Sequence, residues 1–462
     1  MLDSIFKAYD VRGVYPDQLD DDLAQRLGAG GAQFFKEKGD GPVVVGRDMR
    51  KSSPILAKRL IQGLTGAGLD VIDIGRVDTP CVTFAINHLN AVGGVMVTAS
   101  HNPPQYNGFK VSGPQGKPVG AATGLNEIKE FVALESTGDG AGRGQVLERD
   151  LWSAYRTHAL KLIDRDALKN RPIHVVVDAS NGMAGTMIPR VFDENKDAID
   201  GLTISKINFD NESGVFSHEP NPLVAANMRD LQNAVKERRA DVGVCFDGDA
   251  DRCVLVDENS EIIGCDLLTA WLATEFLKQS PGSAVVYDLR SSKAVEESVL
   301  EAGGKPVRGR VGHVFMKQAL RENDGVFGGE LSGHFYFRDN FYADSGVLAF
   351  VAVVSALARS VKTISEIIAP FGRYAQSGEI NFETPDKDAA LEAVKDRYAS
   401  VGNIDELDGV TVDCFAADGW WANIRKSNTE PLLRLNLEAR TPELAATKVE
   451  EISTMLGRRV DH

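Results

Sequence analysis

The sequence predicts an α/β protein: three similar α/β domains with mixed sheets, then a smaller C-terminal α+β domain. Three observations carry the prediction. Short β-branched runs alternate with helix-length amphipathic stretches, which is the pattern of βαβ units around a sheet. The pattern starts afresh three times, at "PVVVGRD", at "PIHVVVDASNGMAG" and at "SAVVYDLRSSKAVEESV". The last stretch differs: strand-like "GEINFETPD", "GVTVDCFAADGWWANIRKS" and "PLLRLNLEAR" are combined with a helix near residues 387–399 and a closing helix from Pro442.

The elements follow in order. "PVVVGRD" reads as a strand, residues Pro54 to Leu69 as a helix, and "DVIDIG" as the next strand. An amphipathic stretch through His88 leads into the strand-like "GGVMVTAS". "ESTGDGAGRGQ", residues 135–145, is rich in Gly and polar residues and reads as a linker. "PIHVVVDASNGMAGTMIPRVF" is strand, glycine turn and helix, and "ADVGVCFDGDADRCVLVDENSEII" continues that unit. "SAVVYDLRSSKAVEESVLEAGG" opens the third unit. "GVLAFVAVVSALA", residues 346–358, is too short to span a bilayer and is expected to be a buried helix. The expected domains are residues 1–148, 149–254, 255–368 and 369–462, matching the three or four that 462 residues suggest.

Composition narrows the partners. An apolar fraction of 43% and a charged fraction of 25% are ordinary for a folded soluble chain. A formal charge of −15 argues against nucleic acid or an anionic membrane as the main partner. A small anionic substrate then needs a local pocket of convergent Arg and Lys. The five cysteines form no Cys-x-x-Cys pair and are expected to be buried reduced thiols. "MLDSIFKAYDVRG" carries no apolar signal core, so a cytoplasmic protein is expected.

In open α/β sheets, ligands bind beyond the carboxyl ends of the strands, so the loops there are where chemistry is sought. In "VTASHNPPQYNGFK", Ser100 and His101 follow a strand ending in Thr98, and Asn102-Pro103-Pro104 closes the loop. Prolines fix the backbone, so such a loop holds a hydroxyl in one place. A serine nucleophile needs help, and His101 and Lys110 are near in sequence. A plain Ser/Asn/Pro turn accounts for the same residues equally well.

"CFDGDADR" places Asp247, Asp249 and Asp251 at intervals of two. In an extended loop the three carboxylates share one side, a slight curl brings their oxygens together, and a hard cation such as magnesium would neutralise them. Glu258 at the twelfth position imitates a calcium-binding EF-hand loop, but Arg252 stands where that loop needs Gly and both flanks are strand-like. A solvated acidic turn is the other reading, and the adjoining Arg252 counts against it.

"FGGELSGHFYF" sets Glu330, Ser332 and His334 at alternate positions along a strand-like run, a row able to hydrogen-bond sugar hydroxyls or simply to face water. "IRKSNTEPLLR" offers Arg425, Ser427, Asn428, Thr429 and Arg434, donors suited to a phosphate dianion or members of a plain hairpin turn. "RVGHVFMK" adds Arg310, His313 and Lys317. Taken together, a hydroxyl, an acidic trio, a sugar reader and a phosphate clamp are the parts of phosphoryl transfer.

"TASHNP", "DGDADR", "GELSGH" and "RKSNTEP" match, in order and spacing, the signature loops of the α-D-phosphohexomutases, and "FKAYDVRG" resembles the start of their bacterial phosphomannomutase/phosphoglucomutase branch. The motifs run from residue 6 to about residue 434. The resemblance implies a heart-shaped, four-domain monomer with its site in a central cleft. It implies that Ser100 carries the phosphoryl group, that Asp247, Asp249, Asp251 and the phosphate of Ser100 bind Mg²⁺, and that Lys110 is the general acid/base with Arg252 beside it. Glu330, Ser332, His334 and His313 would then read the sugar. Arg425, Ser427, Asn428, Thr429 and Arg434 would hold the non-reacting phosphate, and Tyr9, Arg12 and Arg290 would be supporting residues of the site.

The implied reaction interconverts hexose 1- and 6-phosphates through a 1,6-bisphosphate that turns end for end, with glucose 1,6-bisphosphate as activator. "RKSNTEP" differs from the "SGTEP" of phosphoglucosamine mutases, and Leu331 stands where those commonly carry Gln. Both departures favour glucose and mannose phosphates, with phosphoglucosamine mutase as the enzyme alternative. A metal-dependent sugar phosphatase using an Asp nucleophile, and a silent sugar-phosphate-binding protein, are the readings from other classes.

Overall fold

The computed structural model describes residues 2–134, 143–193, 198–427 and 432–460. These form two compact units, one of residues 1–265 with 332–365, the other of residues 266–331 with 366–462.

The first unit holds two sheets. One has six strands in the order Val11–Val14, Tyr106–Ser112, Gly93–Val97, Val43–Arg47, Val71–Arg76, Val146–Glu148. Val43–Arg47 pairs in parallel with both Val71–Arg76 and Gly93–Val97, while Tyr106–Ser112 runs antiparallel to its neighbours. Parallel strands covered on both faces need apolar residues in succession rather than in alternation, and Val43, Val44 and Val45 are each fully buried. The helix expected over Pro54–Leu69 forms as Ser53–Gly66, and the chain leaves it through Gly68 at φ +86°.

The second sheet runs Ile262–Ile263, Cys253–Asp257, Val242–Phe246, Ile173–Asp178, Leu202–Ile207. Val242–Phe246 and Cys253–Asp257 are antiparallel partners, so the acidic loop between them is a strand connection and not the loop between two helices that an EF-hand requires. The helix Gly346–Ala358, which this unit also holds, is buried at every residue, as its all-round apolarity predicts.

In the second unit, Ala284–Asp288 lies between Lys305–Gly309 and Phe327–Gly329, all parallel. A six-stranded antiparallel sheet follows, in the order Asn403–Asp405, Val410–Asp413, Trp420–Lys426, Leu433–Ala439, Ala375–Glu383, Arg458–Val460. Helices Lys387–Tyr398 and Pro442–Leu456 pack on it through Val394, Tyr398, Ile452 and Leu456, against Phe382, Trp420 and Leu435. The three mixed or parallel α/β layers and the antiparallel α+β tail are the fold class the sequence predicts. The expected linker, residues 135–145, lies outside the described residues except for its last three.

All five cysteines are free and buried. Among the described residues no helix is long and apolar enough to cross a membrane.

Candidate active site

Beyond the carboxyl end of strand Gly93–Val97 the chain turns sharply. Asn102 N donates to Ala99 O at 3.0 Å, Tyr106 N donates to Pro103 O at 3.0 Å, and Ser100 N donates to Thr98 Oγ1 at 2.9 Å. Ser100 adopts φ +49°, a left-handed conformation rare for a residue with a Cβ, and is 1% exposed. Its Oγ donates to Asp247 Oδ2 at 2.8 Å and lies 3.3 Å from His101 Nδ1. A Cβ on Gly248 would meet Ser100 O at 2.2 Å, so glycine is what lets the acidic loop touch the serine loop.

The acidic loop is curled, with Ala250 at φ +58°. One carboxylate oxygen from each of Asp247, Asp249 and Asp251 lies within 4.8 Å of the others, and all three side chains are buried. Lys110, on strand Tyr106–Ser112, places its Nζ 2.7 Å from Asp249 Oδ2 and 2.6 Å from Asp251 Oδ2. Thr79 Oγ1 also donates to Asp249 Oδ2, at 2.5 Å, whereas Asp249 Oδ1 is buried without a hydrogen-bond partner. Burial, then repulsion from Asp251 and Asp249, pushes the Asp247 carboxyl above the usual range. Burial works against the Lys110 charge, but attraction from Asp249, Asp251 and Asp247 outweighs it and raises that pKa. An oxygen-only, negative donor set with an orphaned buried carboxylate oxygen fits a hard divalent cation.

Arg252 and His101 complete this group. Arg252 Nη2 is 2.8 Å from His101 Nδ1, and Arg252 Nε is 3.6 Å from Asp247 Oδ2. Burial first, then the charges of Arg252, Arg12 and Lys110, lowers the His101 pKa well below its ordinary value, so the ring is neutral at pH 7. Arg12 donates to Asn102 Oδ1 and to Asp10. Tyr9 is half-buried just before strand Val11–Val14.

The row Glu330, Ser332, His334 does not form as one strand. Strand Phe327–Gly329 ends before Glu330, and a turn with Gly333 at φ +82° breaks the alternation. Cys253 N donates to Gly333 O at 3.1 Å, and His334 bridges to Arg252. The turn therefore carries Ser332 and His334 to the acidic loop: Ser332 Oγ is 2.9 Å from His334 Nδ1, and His334 Nε2 is 3.4 Å from Asp251 Oδ1. Glu330 belongs to the second unit, where its Oε1 accepts from Gly312 N at 2.9 Å beside His313, the first residue of helix His313–Glu322.

The second unit gathers guanidinium groups around one carboxylate. Glu379 Oε1 lies 2.9 Å from Arg434 Nη1, and its Oε2 lies 3.1 Å from Arg425 Nη2 and 3.4 Å from Arg290 Nη1. Arg425 and Arg434 are direct cross-strand partners, a placement in which like charges repel. The register of the pairing with Leu433–Ala439 shifts between Gln376 and Glu379, next to this carboxylate. Burial would raise the Glu379 pKa, but Arg434, Arg290 and Arg425 together hold it below the usual range. Arg290 is itself anchored on Asp288 at 2.8 Å. Ser427 N donates to Leu432 O at 2.9 Å, while Asn428 and Thr429 lie outside the described residues.

Sequence reasoning missed Glu379 and also Arg50, which is buried against the Ser100 loop. The available signal for Arg50 was its place just past "VVVGRD", at the carboxyl end of a parallel strand.

Four family models match the chain in succession, each described as a phosphoglucomutase/phosphomannomutase domain: α/β/α domain I over residues 3–138, domain II over 153–261, domain III over 265–374 and the C-terminal domain over 379–455. Together they define a sugar-phosphate mutase class of protein. The chain belongs to the phosphoglucomutase/phosphomannomutase family. It is 40% identical to "Phosphohexose mutases" of Xanthomonas campestris pv. campestris (strain B100), over 98% of each chain. It is similar to the crystal structure of a phosphoglucomutase/phosphomannomutase family protein from Burkholderia thailandensis, with TM-score 0.88 and 30% identity over 98% of this chain and 97% of that one. A more distant likeness, 15% identical with TM-score 0.64 and covering 98% of this chain and 95% of that one, is to an Aspergillus fumigatus N-acetylphosphoglucosamine mutase solved with GlcNAc-6P and magnesium. At that identity it shows the fold alone.

Proposed function

We propose that the chain is a phosphohexose mutase that interconverts the 1- and 6-phosphates of glucose and of mannose through a phosphorylated Ser100. The observation that carries this reading is the hydrogen bond from Ser100 Oγ to Asp247, inside a buried trio of carboxylates fit for a cation. A hydrolase built on an Asp nucleophile would not need Ser100 to carry the phosphoryl group, and its Ser100→Ala variant would stay active.

Asp247, Asp249 and Asp251 are the residues that would hold the metal, which we assign as magnesium because it takes few carboxylates and leaves room for phosphate oxygens. When bound, it neutralises the trio and polarises the phosphoryl group on Ser100. Phospho-Ser100 gives its group to the free hydroxyl of a hexose 1-phosphate. The resulting 1,6-bisphosphate turns end for end, and its other phosphate returns to Ser100. Lys110 serves as acid/base: as the P–O bond to the donor oxygen breaks and the bond to the acceptor forms, its Nζ gives a proton to the departing oxygen and regains the one lost by the attacking hydroxyl. Arg252, 2.8 Å from neutral His101, supplies fixed positive charge next to the serine. Glu330, Ser332, His334 and His313 read the sugar. Arg425, Arg434, Ser427, Asn428 and Thr429 hold the non-reacting phosphate, and Arg290, Tyr9 and Arg12 are supporting residues.

Glucose 1,6-bisphosphate is the natural activator, since it can phosphorylate Ser100. A monomer in the cytoplasm is the working form, and the five buried free thiols support a reducing compartment. A side-by-side assay on glucose, mannose and glucosamine 1-phosphates, with Mg²⁺ and trace glucose 1,6-bisphosphate, tests the reading. Comparable turnover of glucose and mannose is expected, with little on glucosamine. A clear glucosamine preference would overturn the substrate assignment, and release of free phosphate alone would overturn the mutase.

A further inference from the structure

We infer that Arg50 is the positioning residue that holds the phosphoryl-carrying serine in its reactive geometry, an inference that rests on the mutase reading of Ser100. Arg50 lies in the connection between strand Val43–Arg47 and helix Ser53–Gly66 and is 1% exposed. A guanidinium has five N–H donors, and here every one is engaged. Nε donates to Asp48 Oδ2 at 3.1 Å. Nη1 donates to Pro103 O at 2.7 Å and to Tyr106 O at 3.0 Å. Nη2 donates to Ser100 O at 2.8 Å and to Asn102 O at 2.7 Å.

Four of the five bonds thus end on carbonyls of the segment 100–106, the loop that carries Ser100 and the first residue of the strand after it, one of them on Ser100 itself. Within the segment only Pro103 O has a backbone donor besides Arg50, from Tyr106 N at 3.0 Å, among the hydrogen bonds described above. Pro103 and Pro104 contribute no N–H, and Ser100 at φ +49° departs from any regular ladder. A residue in that conformation persists only where its surroundings over-determine it. Arg50 provides the over-determination. Burying a guanidinium is costly unless it is paired and fully hydrogen-bonded, and Asp48 supplies the pair. Asp48 is fixed in turn, its Oδ1 accepting from Arg50 N at 2.9 Å and from Ser53 Oγ at 2.5 Å. Ser53 Oγ and Ser52 Oγ also accept from Asn107 Nδ2, at 2.9 and 2.8 Å, which closes the network at the loop's far end. Phe216 covers the guanidinium, its ring centroid 5.2 Å away.

None of the five Arg50 donors ends on the acidic trio; its charge attracts Asp249, and a lysine in its place keeps that charge while losing the grip on the loop. Lysine keeps the charge but has three donors radiating from one atom and cannot fork to four carbonyls and a carboxylate. For Arg50→Lys the structure predicts a kcat lower by about 100-fold, the scale of an ångström of misplacement, with KM for the hexose 1-phosphate within about twofold of wild type. Hydrogen exchange should speed up in the segment 99–107 and stay unchanged in the sheet Trp420–Lys426, Leu433–Ala439 of the second unit.

A kcat within about threefold of wild type, a loss carried by KM, or a kcat loss with unchanged exchange in 99–107 would each overturn the inference. If Arg50→Lys does not fold, Asp48→Asn takes its place. It leaves Arg50 without its counter-charge, and a roughly tenfold kcat loss at constant KM is expected; unchanged kcat would overturn the inference. Wild-type protein is assayed alongside: if it does not interconvert hexose phosphates, the functional reading fails, and exchange in 99–107 still judges the grip of Arg50 on the loop.

Discussion

Ser100 Oγ donates a 2.8 Å hydrogen bond to Asp247 Oδ2, joining two loops that lie 147 residues apart in the chain. Each loop follows a strand of a different sheet, and each depends on an unusual backbone, φ +49° at Ser100 and φ +58° at Ala250. For Asp247→Asn the account predicts loss of one cation ligand and of the serine's acceptor charge, with kcat down by at least about 1000-fold. Steady-state kinetics together with Mg²⁺ titration calorimetry checks this; normal Mg²⁺ affinity in the variant would count against the assignment.

Lys110 and a divalent cation compete for the same carboxylates. The Nζ now sits 2.7 Å from Asp249 and 2.6 Å from Asp251, so its charge opposes a second cation there. Lys110→Met should therefore bind Mg²⁺ more tightly, by roughly tenfold, while kcat falls by at least about 100-fold. Calorimetry and kinetics on the one variant separate these effects. Weaker Mg²⁺ binding would show that Lys110 does not oppose the ion.

Glu379 keeps three guanidiniums in register. Its carboxyl is held below the usual range, so the stability it contributes is present above the unfolded carboxyl pKa, near 4.5, and is lost as pH falls through the lower folded value. Glu379→Gln should cost roughly 2 kcal/mol at pH 7. Thermal unfolding against pH checks it: the gap to wild type should narrow below about pH 4, and a gap that stays constant to pH 3 would contradict the claim.

His218 behaves in the opposite sense. Its Nε2 lies 3.3 Å from Asp178 Oδ2, and that hydrogen bond, opposed by burial, raises the imidazole pKa. The stabilisation is fully present below the unfolded value, near 6.5, and is lost as pH rises through the raised folded value. His218→Asn should therefore lower the melting temperature more at pH 5.5 than at pH 9. Equal losses at both would show that the imidazolium is not what matters.

The fold was legible because parallel strands write themselves as apolar runs: Val43–Arg47, Ile173–Asp178 and Ala284–Asp288 stand out from the helices that flank them. The serine loop and the acidic loop were legible because Pro103-Pro104 and three alternating aspartates are local patterns. What stayed hidden is tertiary. Arg50 reaches carbonyls 50 to 56 residues away, which no spacing announces. Glu379 meets Arg425 and Arg434 from 46 and 55 residues away, and an alternating row misled at Glu330, Ser332 and His334, where the chain turns with Gly333 at positive φ. The strand pattern held at Phe327–Gly329 and Phe335–Phe337 and failed over the turn between them.

The central claim is that the phosphoryl group passes through Ser100. The most direct test is to quench the enzyme during turnover of glucose 1-phosphate with Mg²⁺ and trace glucose 1,6-bisphosphate, then locate phosphate on the peptide spanning residues 97–110 by mass spectrometry. The account predicts phosphate on Ser100 in wild type, exchanging with labelled substrate at a rate no slower than turnover, and none in inactive Ser100→Ala. Full turnover by Ser100→Ala, or phosphate found only on another residue, would contradict it.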